Sequence, residues 1–416
     1  MLHNAKVVSR VLALGVLTAC RFGFDEKIYE DACAATACVA DEVYDCTGAH
    51  ACDFGCATSA PPHCLALVPS NGITVALLAG ATARVFNTNL TFDTTSGAIL
   101  GDAGVVRDAG TGVKSGIGFA VIDEMGVFSA SEFSLLGTTT WTAAGANSLV
   151  LFAANSIAIA GVLDGGANGT VGGPHGDNGG IGGPRDSCDG GDGAYKFSNT
   201  TGAGAGGGGG ATSGGDGAAT PADVNGATGG GGGGMACAWP STVPLRGGSG
   251  GGAGGTELMV IRGGAGGAGG GAIALVAMTS VTIDGAIGVP GAGGSTIASG
   301  SGGGGGGAGG AVLIESLTVT LRGSITANGG GGGASVNASP SPVSGERGHF
   351  GDALAAIGGA NGGNGGTGVV APTSGITSGG GGGGGGAAGA IEIKSRAMTL
   401  TGVTSPLSVR SQAALE

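Results

Sequence analysis

The sequence is poor in charged and aromatic side chains. Of its 416 residues, 11% are charged and 4% are aromatic, whereas soluble domains carry about 25% charged residues. It has no Gly-Lys dipeptide, which excludes a P-loop. The formal net charge is −12 and the basic residues are scattered, so we expect no nucleic-acid partner.

A sustained helical period is also lacking after residue 20. Glycine accounts for 102 residues, about one in four against a usual share of about 7%. Each glycine in a helix interior costs roughly 1 kcal/mol relative to alanine, so a conventional α/β enzyme is not expected. Hydrophobic residues make up 41% of the chain, which is too many for full disorder.

The first twenty residues have the pattern of an export signal. Lys6 and Arg10 precede a short apolar stretch that starts at residue 11, and a small residue stands before Cys20. The apolar stretch is too short for a membrane span. Residues 17–20 (LTAC) resemble the bacterial lipobox, in which the cysteine becomes the lipidated N-terminus. The alternative is an ordinary signal peptide with an incidental cysteine.

Cleavage before Cys20 would leave an acidic mature chain. Removal of residues 1–19, which include Lys6 and Arg10 and no acidic residue, changes the net charge from −12 to −14. In lipoproteins of Gram-negative bacteria an Asp after the cysteine favours retention at the inner membrane. Arg21 stands there in this chain, so the resemblance implies an outer-membrane or cell-surface location.

Eight further cysteines suit an oxidising compartment. Six crowd into 32 residues and two lie far downstream; they are Cys33, Cys38, Cys46, Cys52, Cys56, Cys64, Cys188 and Cys237. We expect disulfides, with the pairing of the first six left open. A Cys188–Cys237 bridge would close a loop of about 50 residues and stabilise the fold by roughly 4 kcal/mol. Zinc is the alternative, but no two cysteines have the C-x-x-C spacing.

Composition divides the chain into four parts. Residues 1–19 are the lipoprotein signal peptide, and 20–66 a cysteine-rich, disulfide-stapled stalk or linker. Residues 67–146 contain six of the sixteen aromatic residues, the largest share of any part, and are expected to form a β capping domain. Residues 147–416 are expected to form a glycine-rich β-repeat domain.

Apolar residues recur with the same internal spacing in four places. The copies are Leu149, Leu151, Ile157, Ile159 and Leu163; Ile273, Leu275, Val281, Ile283 and Ile287; Val312, Ile314, Val319, Leu321 and Ile325; and Ile391, Ile393, Met398 and Leu400. Glycines follow at Gly161, Gly285, Gly323 and Gly402.

We interpret each copy as a pair of short strands, such as 272–277 and 280–284. Equal spacing would stack Ile273 on Val312 and Val281 on Val319 in a parallel ladder. The predicted fold is therefore all-β, with stacked short strands as in a parallel β-helix or solenoid. The alternative is four independent hairpins.

Glycine runs separate these copies. They lie at 206–210, 229–234, 302–307, 329–333 and 379–386. They are either flexible linkers or extended, polyglycine-II-like segments with three residues per turn that bond sideways to one another. The sequence leaves both interpretations open.

The chemistry-bearing residues are few. A dense set of oxygen ligands gives a weak hypothesis of a calcium site, with solvated turn residues as the alternative; it consists of Asp177, Asn178, Asp186, Asp189 and Asp192. No other cofactor is expected. Asp164 and Asp284 would be the first carboxylates to test in a polysaccharide-cleaving enzyme. Ser249 lies in a G-x-S-x-G match that this glycine content produces by chance.

The body resembles the glycine-rich bacterial surface proteins labelled PE-PGRS-like. The resemblance rests on residues 302–314 (GGGGGGAGGAVLI), 379–393 (GGGGGGGGAAGAIEI) and the Ile-Asp-Gly corner at 283–285, and covers about residues 145–416. The Pro-Glu domain of the mycobacterial family is missing. The resemblance implies a structural or adhesive lipoprotein of the cell surface, not an enzyme, held by its lipid and facing polysaccharide or a neighbouring cell. A β-helix enzyme or binding module acting on extracellular polysaccharide is the alternative.

Overall fold

A computed structural model describes most of the chain after residue 36. The described residues are 37–39, 41–45, 48–52, 55–58, 61–180, 187–194, 202–220, 229–237, 244–256, 263–297, 301–335, 343–378 and 380–416. The predicted signal peptide and Cys20, Cys33, Cys46 and Asp186 lie outside them. The described fold is nearly all strand, with one short 3-10 helix at Val75–Leu78. Within these ranges no helix has the length and apolar character that a membrane span requires.

The chain divides into two compact units, 1–66 with Leu415–Glu416 and Leu67–Ala414. The first unit has five short strands: β1 (Ala37–Val39), β2 (Glu42–Asp45), β3 (Gly48–Ala51), β4 (Cys56–Ala57) and β5 (His63–Cys64). The first three form an antiparallel sheet, and β4 pairs with β5. Of its described hydrophobic residues, Val43 and Cys52 are buried. Disulfides Cys38–Cys56 and Cys52–Cys64 crosslink this small unit, as expected where a core is small.

The second unit contains two open, mixed sheets. The long-strand sheet consists of β6 (Arg84–Phe86), β10 (Gly112–Lys114), β11 (Ile117–Ile122), β12 (Met125–Leu135), β14 (Ser148–Ile159), β16 (Ala272–Ile283), β18 (Ala311–Leu321), β20 (Ala390–Leu400) and β22 (Val409–Ser411). The short-strand sheet consists of β7 (Leu90–Asp93), β8 (Ile99–Gly101), β9 (Gly104–Arg107), β13 (Thr140–Ala144), β15 (Val162–Asp164), β17 (Ala286–Gly288), β19 (Ser324–Thr326) and β21 (Val403–Ser405).

Strand order in both sheets follows the repeats. The long-strand sheet runs β10-β11-β12-β14-β16-β18-β20-β22, with β6 also beside β12, and the short-strand sheet runs β21-β19-β17-β15-β13-β7-β8-β9. Pairing from β12 to β22 and from β7 through β13 to β21 is parallel. At one edge of each sheet, pairing within β10-β11-β12 and within β7-β8-β9 is antiparallel. The described strands thus form open sheets and not a closed β-helix.

The predicted repeat register is confirmed. Ile273 pairs with Leu149 on one side and with Val312 on the other, and Val281 pairs with Val319. Each predicted pair of short strands is instead one continuous strand. In β16 a register shift between Ala277 and Ser280 joins the two halves. The four copies are therefore one ladder and not independent hairpins.

Burial explains the apolar pattern of each long strand. In β14 and β16 the first six residues are all buried, while the last four alternate. The first half therefore reads as a continuous apolar run and the second half as a period-two strand. Inward side chains of both sheets form one core, which includes Leu151, Leu163 and the aromatic residues Phe128, Phe133 and Trp141.

The repeated glycines lie at the corner between each long strand and its short strand. A Cβ atom on Gly285 would overlap the carbonyl oxygen of Gly161, and one on Gly323 would overlap that of Gly285. Gly402 stands in the same relation to Gly323. Successive corners therefore stack with their backbones in direct contact, which any side chain would prevent.

The described parts of the glycine runs are hydrogen-bonded to one another. We call segments 187–194, 202–220, 229–237, 244–256, 263–271, 301–310 and 380–389 the glycine lattice. In segment 202–210, N–H groups three residues apart donate to carbonyl groups of the same neighbouring segment. Ala203, Gly206 and Gly209 donate to Ala194, Gly191 and Cys188; Gly204, Gly207 and Gly210 to Ala218, Gly215 and Thr212; and Ala205 and Gly208 to Gly303 and Gly306.

The same segment accepts hydrogen bonds from three further neighbours. Donors to its carbonyl groups include Gly231, Gly252 and Gly384. Segment 202–210 is thus surrounded by six hydrogen-bonded segments. Of the two interpretations of the runs, ordered packing describes these residues.

Candidate binding site

The outer face of the short-strand sheet carries a row of threonines. Leu90 and Trp141 point into the core with 2% and 0% of their surface exposed. Because side chains alternate along a strand, Thr91, Thr140 and Thr142 face outward. Thr91 and Thr142 are direct neighbours across the β7–β13 pair, about 4.8 Å apart in the backbone, and Thr140 is about 6.6 Å along the strand from Thr142.

These threonines line a surface cleft of about 350 Å³. Its described lining is Asn89, Leu90, Thr91, Leu100, Gly101, Asp102, Thr140 and Thr142. The side chain of Asn89 is fixed at both ends. Its Oδ1 accepts from the Thr140 N–H at 2.9 Å, and its Nδ2 donates to Asp102 Oδ2 at 3.1 Å. This clamp holds the carboxylate at one end of the cleft.

Several polar atoms of the cleft have no partner in the described part of the protein. These are the hydroxyl groups of Thr91, Thr140 and Thr142 and the Oδ1 atom of Asp102. Each hydroxyl can both donate and accept, while the carboxylate accepts only. Asp102 is the charged group among the eight lining residues. The cleft therefore offers hydrogen bonds of both kinds and no positive charge.

The floor of the cleft is rigidly supported. The Trp141 ring lies 5.2 Å from Phe92 and 5.5 Å from Phe86, measured between centroids. On β9, beside β8, Arg107 is fully buried and lies over the ring of Phe119. Its five N–H groups donate to the carbonyl groups of Gly97, Asp108, Gly110, Gly112 and Ile117. Burial lowers the pKa of Arg107.

The carboxylate of Asp93 is hydrogen-bonded within its own turn. Burial alone would raise the pKa of Asp93, but hydrogen bonds from the Ser96 hydroxyl and from the Thr95 and Ser96 N–H groups outweigh it, so the pKa is lowered. Asp93 is therefore an ionised turn residue rather than a ligand group of the cleft.

Part of this outer face, next to the cleft, is covered by segment 346–352. Arg347 forms a bidentate ion pair with Asp164, with N–O distances of 2.7 and 3.2 Å. The ring of Phe350 occupies the space that a Cβ atom on Gly288 would need. Asn328 holds the segment by donating to the carbonyl groups of His349 and Asp352. The cleft is thus the open part of a polar row that ends at Asp164.

The described members of the predicted oxygen-ligand set bond to backbone groups in or beside the glycine lattice. Asp189 Oδ1 accepts from the Gly250 N–H at 2.9 Å, and Asp192 Oδ1 accepts from the Ala253 N–H at 2.8 Å. Asn178 Oδ1 accepts from Gly172. The Asp177 backbone bonds to Gly248 and Gly269.

These side chains accept hydrogen bonds from backbone N–H groups of neighbouring segments. In the described ranges no group of three or more His, Cys, Asp or Glu side chains is arranged to hold a metal ion. Asp186 lies outside these ranges, so the calcium hypothesis stays a prediction.

The other predicted positions have structural partners. Asp284 forms a bidentate pair with Arg322 at 2.6 and 2.9 Å. The hydroxyl of Ser249 lies within hydrogen-bond distance of the carbonyl groups of Cys188 and Gly209 in the lattice. Cys188 and Cys237 form a disulfide with a Cα–Cα distance of 5.5 Å, as predicted. Cys20, Cys33 and Cys46 lie outside the described residues.

A serine, a histidine and a glutamate also meet at the start of β14. Ser148 Oγ lies 3.0 Å from His175 Nδ1, and His175 Nε2 lies 3.6 Å from Glu124 Oε2. Ser148 is fully buried, and its hydroxyl donates to the carbonyl group of Leu245 at 2.9 Å. A nucleophilic serine needs access to substrate and gives its proton to the base. The side chains of Ser148, His175 and Glu124 therefore hold three segments of the chain together.

A second buried polar cluster lies on the long-strand sheet. Lys394 Nζ is 3.3 Å from Glu315 Oε1 and 3.8 Å from Glu392 Oε1, and it donates to Ser70 Oγ at 2.8 Å. Ser70 in turn donates to Glu315 through its N–H at 2.9 Å and through its hydroxyl. Glu315 is 2% exposed. The cluster fastens the segment around Ser70 to β18 and β20.

Sequence reasoning missed the cleft residues. The alternation of Thr140-Trp141-Thr142 and of Leu90-Thr91-Phe92 was the available signal, because an inward aromatic or aliphatic residue places its neighbours outward. Comparison of the chain with protein-family models, with curated proteins and with solved structures finds no match.

Proposed function

We propose that the protein is an exported lipoprotein, anchored through lipidated Cys20 to the outer membrane of a Gram-negative cell. Its body would be displayed at the surface as a structural and adhesive module without catalytic activity. Its partners would be the membrane, through the lipid, and extracellular polysaccharide or a neighbouring cell. The export pattern at residues 6–20 and the three disulfides of the described chain support this proposal.

The observation that carries the structural role is the six-neighbour hydrogen bonding of segment 202–210. The three-residue period of its donors supports polyglycine-II geometry, in which each turn has three residues. We propose that the strands stack as a solenoid-like body and that the glycine lattice stiffens it. A body fixed by backbone hydrogen bonds keeps its form with few charges and a modest apolar core.

The anchoring is tested by Cys20→Ser in the exporting organism. The unsubstituted protein should sediment with the membrane fraction, and Cys20→Ser should move into the soluble fraction. Cys237→Ser is the matched control, because it removes a cysteine but leaves the lipidation site intact. Equal membrane association of the protein and Cys20→Ser would contradict lipid anchoring.

The adhesive role is tested by incubating cells that display the protein with immobilised bacterial and plant polysaccharides. Retention without shortening of the polysaccharide chains would support adhesion. Chain shortening would overturn the non-catalytic role and favour the alternative of a polysaccharide-cleaving enzyme. Absence of retention on every surface would contradict adhesion.

A further inference from the structure

We propose that the cleft at Thr91, Thr140 and Thr142 binds a neutral saccharide unit through its hydroxyl groups. This inference rests on the proposed adhesive function and assigns it a site. The first argument is chemical complementarity. Three threonine hydroxyls and one carboxylate oxygen line the cleft without partners among the described residues. A ligand that both donates and accepts at closely spaced positions satisfies such a lining, and sugar hydroxyl groups do both.

The second argument is charge. The eight lining residues include no Lys, Arg or His, and their charged member is Asp102. An anionic ligand would meet this carboxylate without a compensating cation, so anionic saccharides are disfavoured. A neutral sugar can instead donate a hydroxyl proton to Asp102 Oδ1, and bonds to charged acceptors are stronger than neutral ones.

The third argument is size and spacing. A volume of about 350 Å³ falls at the lower end of the range of small-ligand sites. The cross-strand and along-strand spacings of the threonines, about 4.8 and 6.6 Å, allow one ring to reach two hydroxyls and its neighbour to reach the third. Leu100, which is 49% exposed, gives an apolar surface for the C–H face of a ring.

The fourth argument is preorganisation. The threonines stand on paired strands over the buried Trp141 and Phe92 rings, and Asn89 holds Asp102 in place. Little conformational freedom remains to be lost when a ligand binds, and this lowers the cost of association.

The experiment uses the full exported chain, purified in detergent, and measures binding of defined oligosaccharides by calorimetry and saturation-transfer NMR. The neutral probes are cellotetraose, mannotetraose and chitotetraose, and the anionic probe is tetragalacturonate. The double variant Thr91→Val, Thr142→Val removes two hydroxyls and keeps the side-chain shape. Thr399→Val is the matched control, since Thr399 is an exposed threonine on β20 of the other sheet.

We expect at least one neutral probe to bind more tightly than tetragalacturonate. The double variant should lose at least tenfold in affinity for that probe while its melting temperature stays unchanged, and Thr399→Val should bind as the unsubstituted protein does. Binding of no neutral probe, or equal binding by the double variant, would overturn the inference.

Failure of the site and failure of the function can be told apart. If cells displaying the double variant are still retained on polysaccharide, the cleft is not the adhesive site but the proposed function stands. If the unsubstituted protein retains no polysaccharide at all, both are wrong.

Discussion

Gly206 and Gly232 face each other so closely that a Cβ atom on Gly206 would overlap the carbonyl oxygen of Gly232, while a Cβ atom on Gly232 would meet nothing within 4 Å. The contact is thus asymmetric between two glycines of one lattice. Packing therefore requires glycine at position 206, whereas position 232 has room for a side chain.

The first prediction uses this pair. Gly206→Ala should destabilise the protein by about 1–3 kcal/mol or more, because the added methyl group forces neighbouring backbones apart. Gly232→Ala is the matched control and should change stability by less than about 0.5 kcal/mol. Chemical denaturation of both variants measures the difference. Equal stability of the two variants would contradict the close packing of segment 202–210.

The second prediction concerns the buried ion cluster. Lys394→Met should destabilise the protein by about 3–5 kcal/mol, because it leaves Glu315 buried without its cation. Arg396→Met lies two residues along the same strand at an exposed position and should have little effect. Addition of Glu315→Gln to Lys394→Met should recover part of the loss. A Lys394→Met variant as stable as Arg396→Met would show that the cluster does not fasten the segment around Ser70.

The third prediction concerns the buried guanidinium group. Arg107 satisfies five carbonyl groups with five N–H donors, and lysine has three donors on one nitrogen. Arg107→Lys should therefore leave buried carbonyl groups unpaired, at about 1–3 kcal/mol for each. Hydrogen exchange around residues 97–117 should accelerate more than exchange in β16. Unchanged exchange in both regions would contradict the organising role of Arg107.

Much of the ladder could be predicted from the sequence, because constant spacing fixes register. The pairing of Ile273 with Val312 followed from that spacing alone. The β12 rung is not recognisable as a further copy from the sequence, because Gly126 stands opposite Leu149 and interrupts the apolar pattern. Phe128, opposite Leu151, preserves the pattern at the next inward position.

The lattice and the cleft needed three-dimensional information. A run of glycines is compatible with a linker and with ordered packing, and the bonds of Gly206 to Gly191 and Gly252 join distant parts of the chain. The outward direction of Thr142 follows from Trp141, but its position beside Thr91 depends on the pairing of β13 with β7. Neither the hydrogen bonds of Gly206 nor the pairing of β7 with β13 can be recognised in the local sequence.

The last prediction is a pH dependence with a defined sign. The folded-state pKa of Asp93 is lowered by its three hydrogen bonds, which outweigh the effect of burial. The ionised carboxylate therefore contributes stability above its ordinary pKa of about 3.9, and this contribution is lost as the pH falls through the lower, folded-state value. Asp93→Asn should cost about 1 kcal/mol at pH 7, and the gap to the unsubstituted protein should shrink at the acidic end. Denaturation midpoints of both proteins between pH 7 and pH 2 give the measurement. A gap that stays constant or widens toward low pH would contradict the lowered pKa, because a carboxylate with a raised pKa would produce the opposite trend.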